Sequence, residues 1–219
     1  MINVNSSMAR TKPFEEHPFQ YEDWFQRNKF AYESELQAIS SQLPERRDGV
    51  EIGVGSGRFA APLGIKIGVE PAGNMSKIAR TRGIEVIEGV AEALPFHDFH
   101  FDFVLMVTTI CFLDDVEVAL KEAYRVIKQN GSLIIGFVDK NSSLGKLYLK
   151  HKNESVFYEL ATFYSVDEVV CYLKNTGFSD FCFSQTIFQD LKEIGGIEPI
   201  KEGYGEGSFV VISAIKSTY

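Results

Sequence analysis

From Val50 onward, the chain alternates short apolar runs with segments of helical periodicity. This alternation is typical of a parallel β-sheet whose strands are joined by crossover helices, because each crossover returns the chain to the same edge of the sheet. Strands are predicted at Val50–Val54, Ile65–Glu70, Ile84–Glu88, Phe101–Val107, Ser132–Val138, Phe181–Phe188 and Ser208–Lys216. The sequence therefore predicts an α/β fold built on one large sheet.

Helical periodicity precedes these runs and fills the gaps between them. An aromatic-rich stretch from Tyr21 to Leu43 predicts a long amphipathic helix, or a helix pair, that ends near Pro44. Further local signals are helices at Asn74–Arg82 and Asp114–Lys128, capping-box spacing at Asp114 and Glu117, a turn at Asn130-Gly131, and a helix from Ser165 to Gly177 with Glu168 as the capping partner.

Charge and hydropathy exclude several classes of partner. The net charge of −8, from 22 basic and 30 acidic residues, argues against binding to a nucleic-acid backbone. The longest apolar run, near Phe103–Leu113, is far shorter than the roughly 20 residues that cross a bilayer. The first residues lack the apolar core of a secretion signal, which favours a cytoplasmic protein without a membrane partner.

The cysteines predict no metal site. Cys111, Cys171 and Cys182 are odd in number and widely separated, so they form neither a disulfide framework nor a close pair of metal ligands. They are interpreted as free thiols.

The most informative motif is the glycine-rich stretch EIGVGSG, from Glu51 to Gly57, directly after the first predicted strand. Such a turn at the carboxyl edge of a parallel sheet is expected to expose bare backbone amides to a ligand. Glu70 ends the next strand, where a carboxylate can accept hydrogen bonds from both hydroxyls of a ribose. Together, the two features predict a ligand that contains adenosine. The spacing G-x-G-x-G places Arg58 where a dinucleotide fingerprint requires its third glycine.

Six segments in order extend this pattern and resemble a known family. They are EIGVGSGRF at Glu51–Phe59, Val69-Glu70-Pro71, EGVAEALPF at Glu88–Phe96, FDFVLMV at Phe101–Val107, ALKEAYRVIKQNGSLII at Ala119–Ile135 and FYSVDEVVCYLKNTGF at Phe163–Phe178. The chain resembles the class I S-adenosylmethionine-dependent methyltransferases, in the group called methyltransferase type 11. The resemblance covers roughly residues 48–180.

The resemblance implies a Rossmann-like three-layer α/β/α sandwich. Its sheet would have seven mostly parallel strands in the order 3-2-1-4-5-7-6, with the last strand antiparallel. The whole chain, 1–219, is then one methyltransferase domain. Its expected parts are a loose start at 1–13, a helical cap at 14–47, a cofactor-binding half at 48–139, an insert at 140–163, and a final helix and strand pair at 164–219.

The resemblance also implies roles for individual residues toward S-adenosylmethionine. The glycine loop would face the methionine half of the cofactor, Glu70 the ribose hydroxyls, and the backbone amide of Ala91 the adenine. Thr108, just past the fourth strand, would border the methyl group. The full set of expected cofactor-binding residues is Glu51, Gly53, Gly55, Gly57, Arg58, Glu70, Pro71, Ala91, Glu92, Leu94, Val107 and Thr108.

Adenine recognition is where the chain departs from the family pattern. Many relatives carry Asp where this chain has Val90, and that carboxylate would accept from the adenine amino group. Either Glu92 takes this role, or backbone and apolar contacts hold the adenine. The other interpretation of Glu92, and the favoured one, is a residue that caps a turn.

The sequence identifies no certain catalytic residue. In-line methyl transfer depends mainly on alignment and needs a base only when the acceptor arrives protonated. Candidates to line the acceptor site are Tyr21, Trp24, Thr108 and Thr109. Lysines in the insert would favour an anionic acceptor, whereas glutamates around the loop of Gly203–Gly205 would favour a cationic amine. These two indications point to opposite substrate charges.

The leading hypothesis is transfer of a methyl group to a small-molecule acceptor, by a monomer or a homodimer. A noncatalytic S-adenosylmethionine-binding or regulatory domain would share the glycine loop and its acidic partner. An NAD(P)-dependent oxidoreductase is disfavoured by Arg58 and by the expected antiparallel final strand pair.

Overall fold

The computed structural model describes residues 10–45 and 48–217. The predicted loose start at 1–13 lies mostly outside these residues. In chain order, the elements are α1 (Lys12–Glu16), α2 (Pro18–Arg27), α3 (Lys29–Ser40), β1 (Gly49–Ile52), α4 (Ala60–Leu63), β2 (Ile67–Val69), α5 (Gly73–Thr81), β3 (Glu85–Ile87), β4 (Phe101–Val107), α6 (Val116–Val126), β5 (Ile127–Val138), α7 (Ser143–Lys150), α8 (Val166–Thr176), β6 (Ser179–Thr186), β7 (Lys201–Glu202) and β8 (Phe209–Ile215). Two short 3-10 helices lie at Ile110–Phe112 and Lys152–Glu154.

The sheet has the predicted topology with one added edge strand. Its order is β3-β2-β1-β4-β5-β8-β6-β7, and β1 to β5 pair in parallel. The long strand β8 runs antiparallel between β5 and β6, which confirms the expected final strand pair. The eighth strand is the two-residue β7, whose polar pair Lys201 and Glu202 carries no apolar pattern that could reveal a strand.

Alternate residues of the central strands build two cores, one on each face of the sheet. Val104 and Met106 of β4 pack toward α6 and α8. Phe103 and Leu105 face the opposite side, with α3 and α5. The three-layer α/β/α arrangement is therefore confirmed.

The cap contains the helix pair that was predicted as one alternative, α2 and α3, and the short helix α1 precedes this pair. Pro18 opens α2 at its first position, where a missing N–H does no harm, so α1 and α2 divide at His17. Asn28 separates α2 from α3 and donates through its side chain to the carbonyl of Trp24. The third helix of the cap, α3, buries Ala38 and Ile39 against the sheet.

Local signals for helix ends were partly right. Ser165 and Glu168 form the predicted capping box, and Gly177 ends α8 at φ 107°. The cap predicted at Asp114 is wrong, because the Asp115 side chain accepts from the N–H of Val118 instead. The turn predicted at Asn130 is a bulge inside β5, where Asn130 adopts φ 60°.

Candidate active site at the carboxyl edge of the sheet

A cavity of about 680 Å³ opens where the strands β1, β2 and β4 end, and the cap and the insert form its roof. Its size and mainly apolar wall are those of a small-molecule site. The predicted residues that line it are Tyr21, Trp24, Gly53, Gly55, Glu70, Pro71, Ala91, Glu92, Val107, Thr108 and Thr109. Glu51, Gly57, Arg58 and Leu94 do not belong to its wall.

Glu70 is held rigidly at the end of β2. Its Oε2 accepts from the N–H of Gly55 at 2.8 Å, and its Oε1 accepts from the N–H of Ala72 at 2.8 Å. Burial raises the pKa of the carboxyl to about 7, although both amide hydrogen bonds oppose the rise. The carboxylate thus faces the cavity in a fixed orientation, with lone pairs left for two more donors.

The expectation that the glycine loop exposes bare amides is wrong for its three glycines. The N–H of Gly53 donates to the carbonyl of Val69 at 2.8 Å, and that of Gly57 donates to the carbonyl of Val54 at 2.8 Å. Gly55 donates to Glu70. These bonds fold the loop onto itself and onto β2, so the loop offers a close-packed main-chain surface rather than free donors.

Glycine is required at each of the three loop positions for a different structural reason. All three adopt positive φ, at 68°, 54° and 81° for Gly53, Gly55 and Gly57. A Cβ on Gly53 would lie 2.5 Å from the Thr109 side chain, and one on Gly57 would press against Ile84 and Ala79. A Cβ on Gly55 would point at the cavity, 3.3 Å from the Tyr21 hydroxyl. Gly55 is therefore the glycine whose absent side chain matters most for a ligand.

Residues 89–92 form the wall of the cavity farther along the edge. Within the described part of the chain, the N–H of Ala91 has no protein acceptor, so it is available to a ligand. Glu92 Oε1 accepts from the N–H groups of Asp114 and Asp115 at 2.9 and 3.2 Å, which gives this residue a turn-capping role. Leu94 packs in the core beside α6 instead of lining the cavity.

The end of β4 carries backbone strain. Thr108 adopts φ 51°, a left-handed conformation that β-branched residues rarely take, and its N–H donates to the carbonyl of Gly136. The hydroxyl of Thr109 donates to main-chain carbonyls, that of Ile52 at 3.1 Å among them, and so ties β4 to β1. Strain of this kind is concentrated at functional sites.

Arg58 and Glu51 support the loop from outside the cavity. Arg58 and Arg82 both bind the Glu22 carboxylate, with the closest contacts at 2.5 Å, and thereby attach α2 to the glycine loop. Glu51 lies beneath the loop, where burial raises its pKa well above the usual range. Among the described residues, its Oε2 has no hydrogen-bond partner.

Aromatic side chains from the cap and from the insert form a roof over the cavity. The sequence predicted only the part that comes from the cap. Tyr21 and Trp24 come from α2, as predicted. Phe14 comes from α1 and stacks edge-on against Tyr21 and Phe112, with ring centroids 5.8 and 4.9 Å apart. The insert adds Phe157, Tyr148, Tyr158 and Phe163. The aromatic density of the insert was the signal that could have revealed this second half.

Sequence reasoning also missed Glu35. This residue of α3 lines the cavity although it is only 5% exposed. Burial raises the pKa of its carboxyl to about 8. The available signal was an acidic residue on the apolar face of a helix, among Ala31, Ala38 and Ile39.

Comparison with known proteins agrees with this geometry. The family model for the methyltransferase domain matches residues 50–135, from β1 into β5. A structure from Thermotoga maritima, described as an S-adenosylmethionine-dependent methyltransferase and possible histamine N-methyltransferase, is 55% identical. The alignment covers 94% of this chain and 99% of that one, with a TM-score of 0.92. The chain belongs to the class I S-adenosylmethionine-dependent methyltransferases.

Two other known proteins match over different lengths. An uncharacterized protein of Methanocaldococcus jannaschii is 46% identical over 203 residues, which cover 93% of this chain and 98% of that protein. The demethylmenaquinone methyltransferase of Chlorobaculum tepidum is 32% identical over 109 residues, 46% of this chain and 45% of that enzyme.

In residues 10–45 and 48–217, no helix is long and apolar enough to cross a membrane. The same residues contain no group of three or more His, Cys, Asp or Glu side chains arranged to hold a metal ion.

Proposed function

We propose that the protein transfers the methyl group of S-adenosylmethionine to a small-molecule acceptor bound in the cavity under the cap. The main support is the geometry of Glu70, a carboxylate fixed by two amides at the lip of the cavity beside the glycine loop. This arrangement is suited to the two hydroxyls of a ribose, and S-adenosylmethionine is the cofactor of the family.

The described residues fit this cofactor along one wall. Glu70 would accept from the ribose hydroxyls, and the free N–H of Ala91 would donate to the adenine. The main chain at Gly53 and Gly55 would contact the methionine half, with Pro71 beside the ribose. Because Glu92 caps the turn at Asp114, backbone and apolar contacts near Val90 carry adenine recognition in this proposal. The bound cofactor supplies an activated methyl group for in-line displacement.

The remaining wall would hold the acceptor. Tyr21 and Trp24 cover the space beyond Gly55, and Thr108 and Val107 border the end at which transfer would occur. The chain's contribution is to align the acceptor and exclude water, which can supply most of the acceleration in such a displacement. The description of the Thermotoga maritima structure, a possible histamine N-methyltransferase, supports an amine as the acceptor.

The two alternatives differ in what they predict. A dinucleotide oxidoreductase is disfavoured by the antiparallel β8 and by Arg58, which binds Glu22 where a third fingerprint glycine would lie. A noncatalytic binding domain would need no acceptor space, whereas the cavity extends well beyond the cofactor wall under an aromatic roof.

Calorimetric titration with S-adenosylhomocysteine, NAD and NADP tests the cofactor. Saturable binding of S-adenosylhomocysteine alone is expected. Binding of NAD or NADP alone would refute the proposal. Incubation with methyl-labelled S-adenosylmethionine and a panel of amines, phenols and carboxylates then tests transfer. Cofactor binding without transfer to any acceptor class would favour the noncatalytic domain.

A further inference from the structure

We propose that Glu35 is the acceptor-binding residue: it holds the ammonium group of a cationic amine and accepts the proton that this nitrogen loses before methylation. The inference rests on the proposed function, because it concerns the acceptor half of the same cavity. It assigns a positive charge to the acceptor, whereas the sequence left both a positive and a negative charge open.

The first observation is an isolated buried acid. Glu35 lines the cavity and is 5% exposed, and within the described residues its carboxylate has neither a hydrogen bond nor an ion pair. A buried carboxylate without a partner is costly to a fold. Other buried acids here, such as Glu70 and Glu198, are held by N–H donors. Glu35 is thus positioned for a partner that comes from outside the chain.

Aromatic side chains share the cavity with Glu35. Burial raises the pKa of the Tyr21, Tyr148 and Tyr158 phenols, which come from three segments, and the charge of Glu35 adds a smaller rise to each. The rings of Tyr148 and Tyr158 lie 4.6 Å apart, and Phe163 lies 5.6 Å from Tyr158. These rings and the Glu35 carboxylate line the same cavity, and this part of it is called the cage below. Aromatic rings combined with a carboxylate favour an organic cation over a neutral or anionic molecule.

No cation of the described chain occupies this cage. Arg27 pairs with Asp23 at 2.6 Å, and Arg10 donates to the carbonyl of Leu113 and lies 3.5 Å from Asp114. Lys192 and Asp190 also line the cavity, on the loop that follows β6, but neither pairs with Glu35 among the described residues. Ser34, adjacent to Glu35, accepts from the N–H of Glu198 at 2.8 Å and so fixes that loop against α3.

A cationic amine must lose a proton before it can be methylated. An ammonium nitrogen has no lone pair, so it cannot attack a methyl group until one N–H bond breaks. Transfer of that proton to the Glu35 carboxylate gives a neutral amine with a free lone pair and a neutral carboxylic acid. Burial raises the pKa of Glu35 to about 8, which makes it a stronger base than an ordinary glutamate. One group can therefore recognise the cation and prepare it to react.

The test compares Glu35→Gln with Glu33→Gln, a partly exposed control on the same helix whose ion pair among the described residues is with Lys29. Calorimetry measures binding of 2-phenylethylamine and histamine, with 2-phenylethanol as a neutral isostere, and S-adenosylhomocysteine in parallel. Glu35→Gln is expected to weaken amine binding roughly 30-fold or more, as for loss of a charged hydrogen bond, and to change binding of the alcohol by less than about 3-fold. Glu33→Gln should leave amine binding unchanged.

The pH dependence of amine affinity provides a second measurement, which would not change if Glu35 had only a structural role. Amine affinity of the native protein should fall as pH is lowered through about 8, since Glu35 then becomes neutral, and the Glu35→Gln protein should lack this dependence. Equal binding of amine and alcohol, no amine binding, or unchanged amine affinity in Glu35→Gln would overturn the inference. The parallel titration separates the two proposals: failure to bind S-adenosylhomocysteine would refute the proposed function, whereas retained S-adenosylhomocysteine binding with any of the outcomes above would refute only the role of Glu35.

Discussion

The main-chain N–H of Gly55 donates a 2.8 Å hydrogen bond to Oε2 of Glu70, and this bond joins the loop after β1 to the end of β2. A second bond, from the N–H of Ala72, fixes the other carboxylate oxygen. Neither oxygen needs to reorient when a ligand arrives, so the site is preorganised for a pair of hydroxyl donors. The loop and the acid act as one unit, although 15 positions separate them in the chain.

Glu70→Gln is expected to weaken S-adenosylhomocysteine binding by roughly 10- to 100-fold, the effect of losing a hydrogen bond to a charged group. The substitution turns one oxygen into an NH₂ group that faces the N–H of Gly55 or Ala72, so the side chain must also rotate. Calorimetric titration measures the change. The control is Glu85→Gln, an exposed residue of β3. Equal affinities of both variants would show that Glu70 has no ribose role.

Gly55→Val is expected to abolish S-adenosylhomocysteine binding, because its side chain would fill the space between the loop and Tyr21. It will also destabilise the fold by about 1–2 kcal/mol, since valine is strained at φ 54°. Gly64→Val controls for the strain: Gly64 has φ 76° but no neighbour within 4 Å of its Cβ position. Comparable melting temperatures with binding lost only in Gly55→Val are expected. Loss of affinity in both variants would attribute the effect to strain.

Glu22→Gln is expected to destabilise the protein by about 1–3 kcal/mol, because it leaves Arg58 and Arg82 without their shared anion. Burial alone would raise the pKa of Glu22, but hydrogen bonds from Arg82 and Arg58 outweigh it and lower the pKa. The contribution is therefore present above the ordinary pKa of glutamate and is lost as pH falls through the lowered value.

Urea denaturation at pH 7 measures the effect of Glu22→Gln, and Asp23→Asn is the matched control. Asp23 is the next residue, but it and its partner Arg27 are more than half exposed, so its removal should cost less than about 1 kcal/mol. If the two variants were equally stable, the bridge would not be what attaches α2 to the glycine loop.

The central strands and the glycine turn were predictable because their signals are local, whereas the strand order followed from the family resemblance. The apolar run of Phe101–Val107 and the glycines after Ile52 define a strand and a turn in any context. Which atoms satisfy the loop amides was not predictable, since Gly55 and Glu70 meet only after two strands pair. The place of Glu35 in the cavity was missed for the same reason, since Tyr148 and Tyr158, which line that cavity with it, lie more than a hundred residues away in sequence.

The stability of the protein should report the raised pKa of Glu35 even without a ligand. The folded carboxyl has a pKa of about 8, whereas an unfolded glutamate ionises near 4.5. The unfolded state therefore loses its proton first, and the native state is penalised progressively as pH rises from about 4.5 to about 8. Below about pH 4.5 the carboxyl is protonated in both states, so its ionisation no longer lowers the free energy of unfolding.

Glu35→Gln, which removes the ionisation, should stabilise the protein by roughly 2–4 kcal/mol at pH 9 and by little at pH 4.5. Urea denaturation of both proteins at the two pH values measures this difference, and Glu33→Gln, which has an exposed partner in Lys29, corrects for loss of a surface charge. A stability change of the same size at both pH values would mean that Glu35 titrates like an exposed acid.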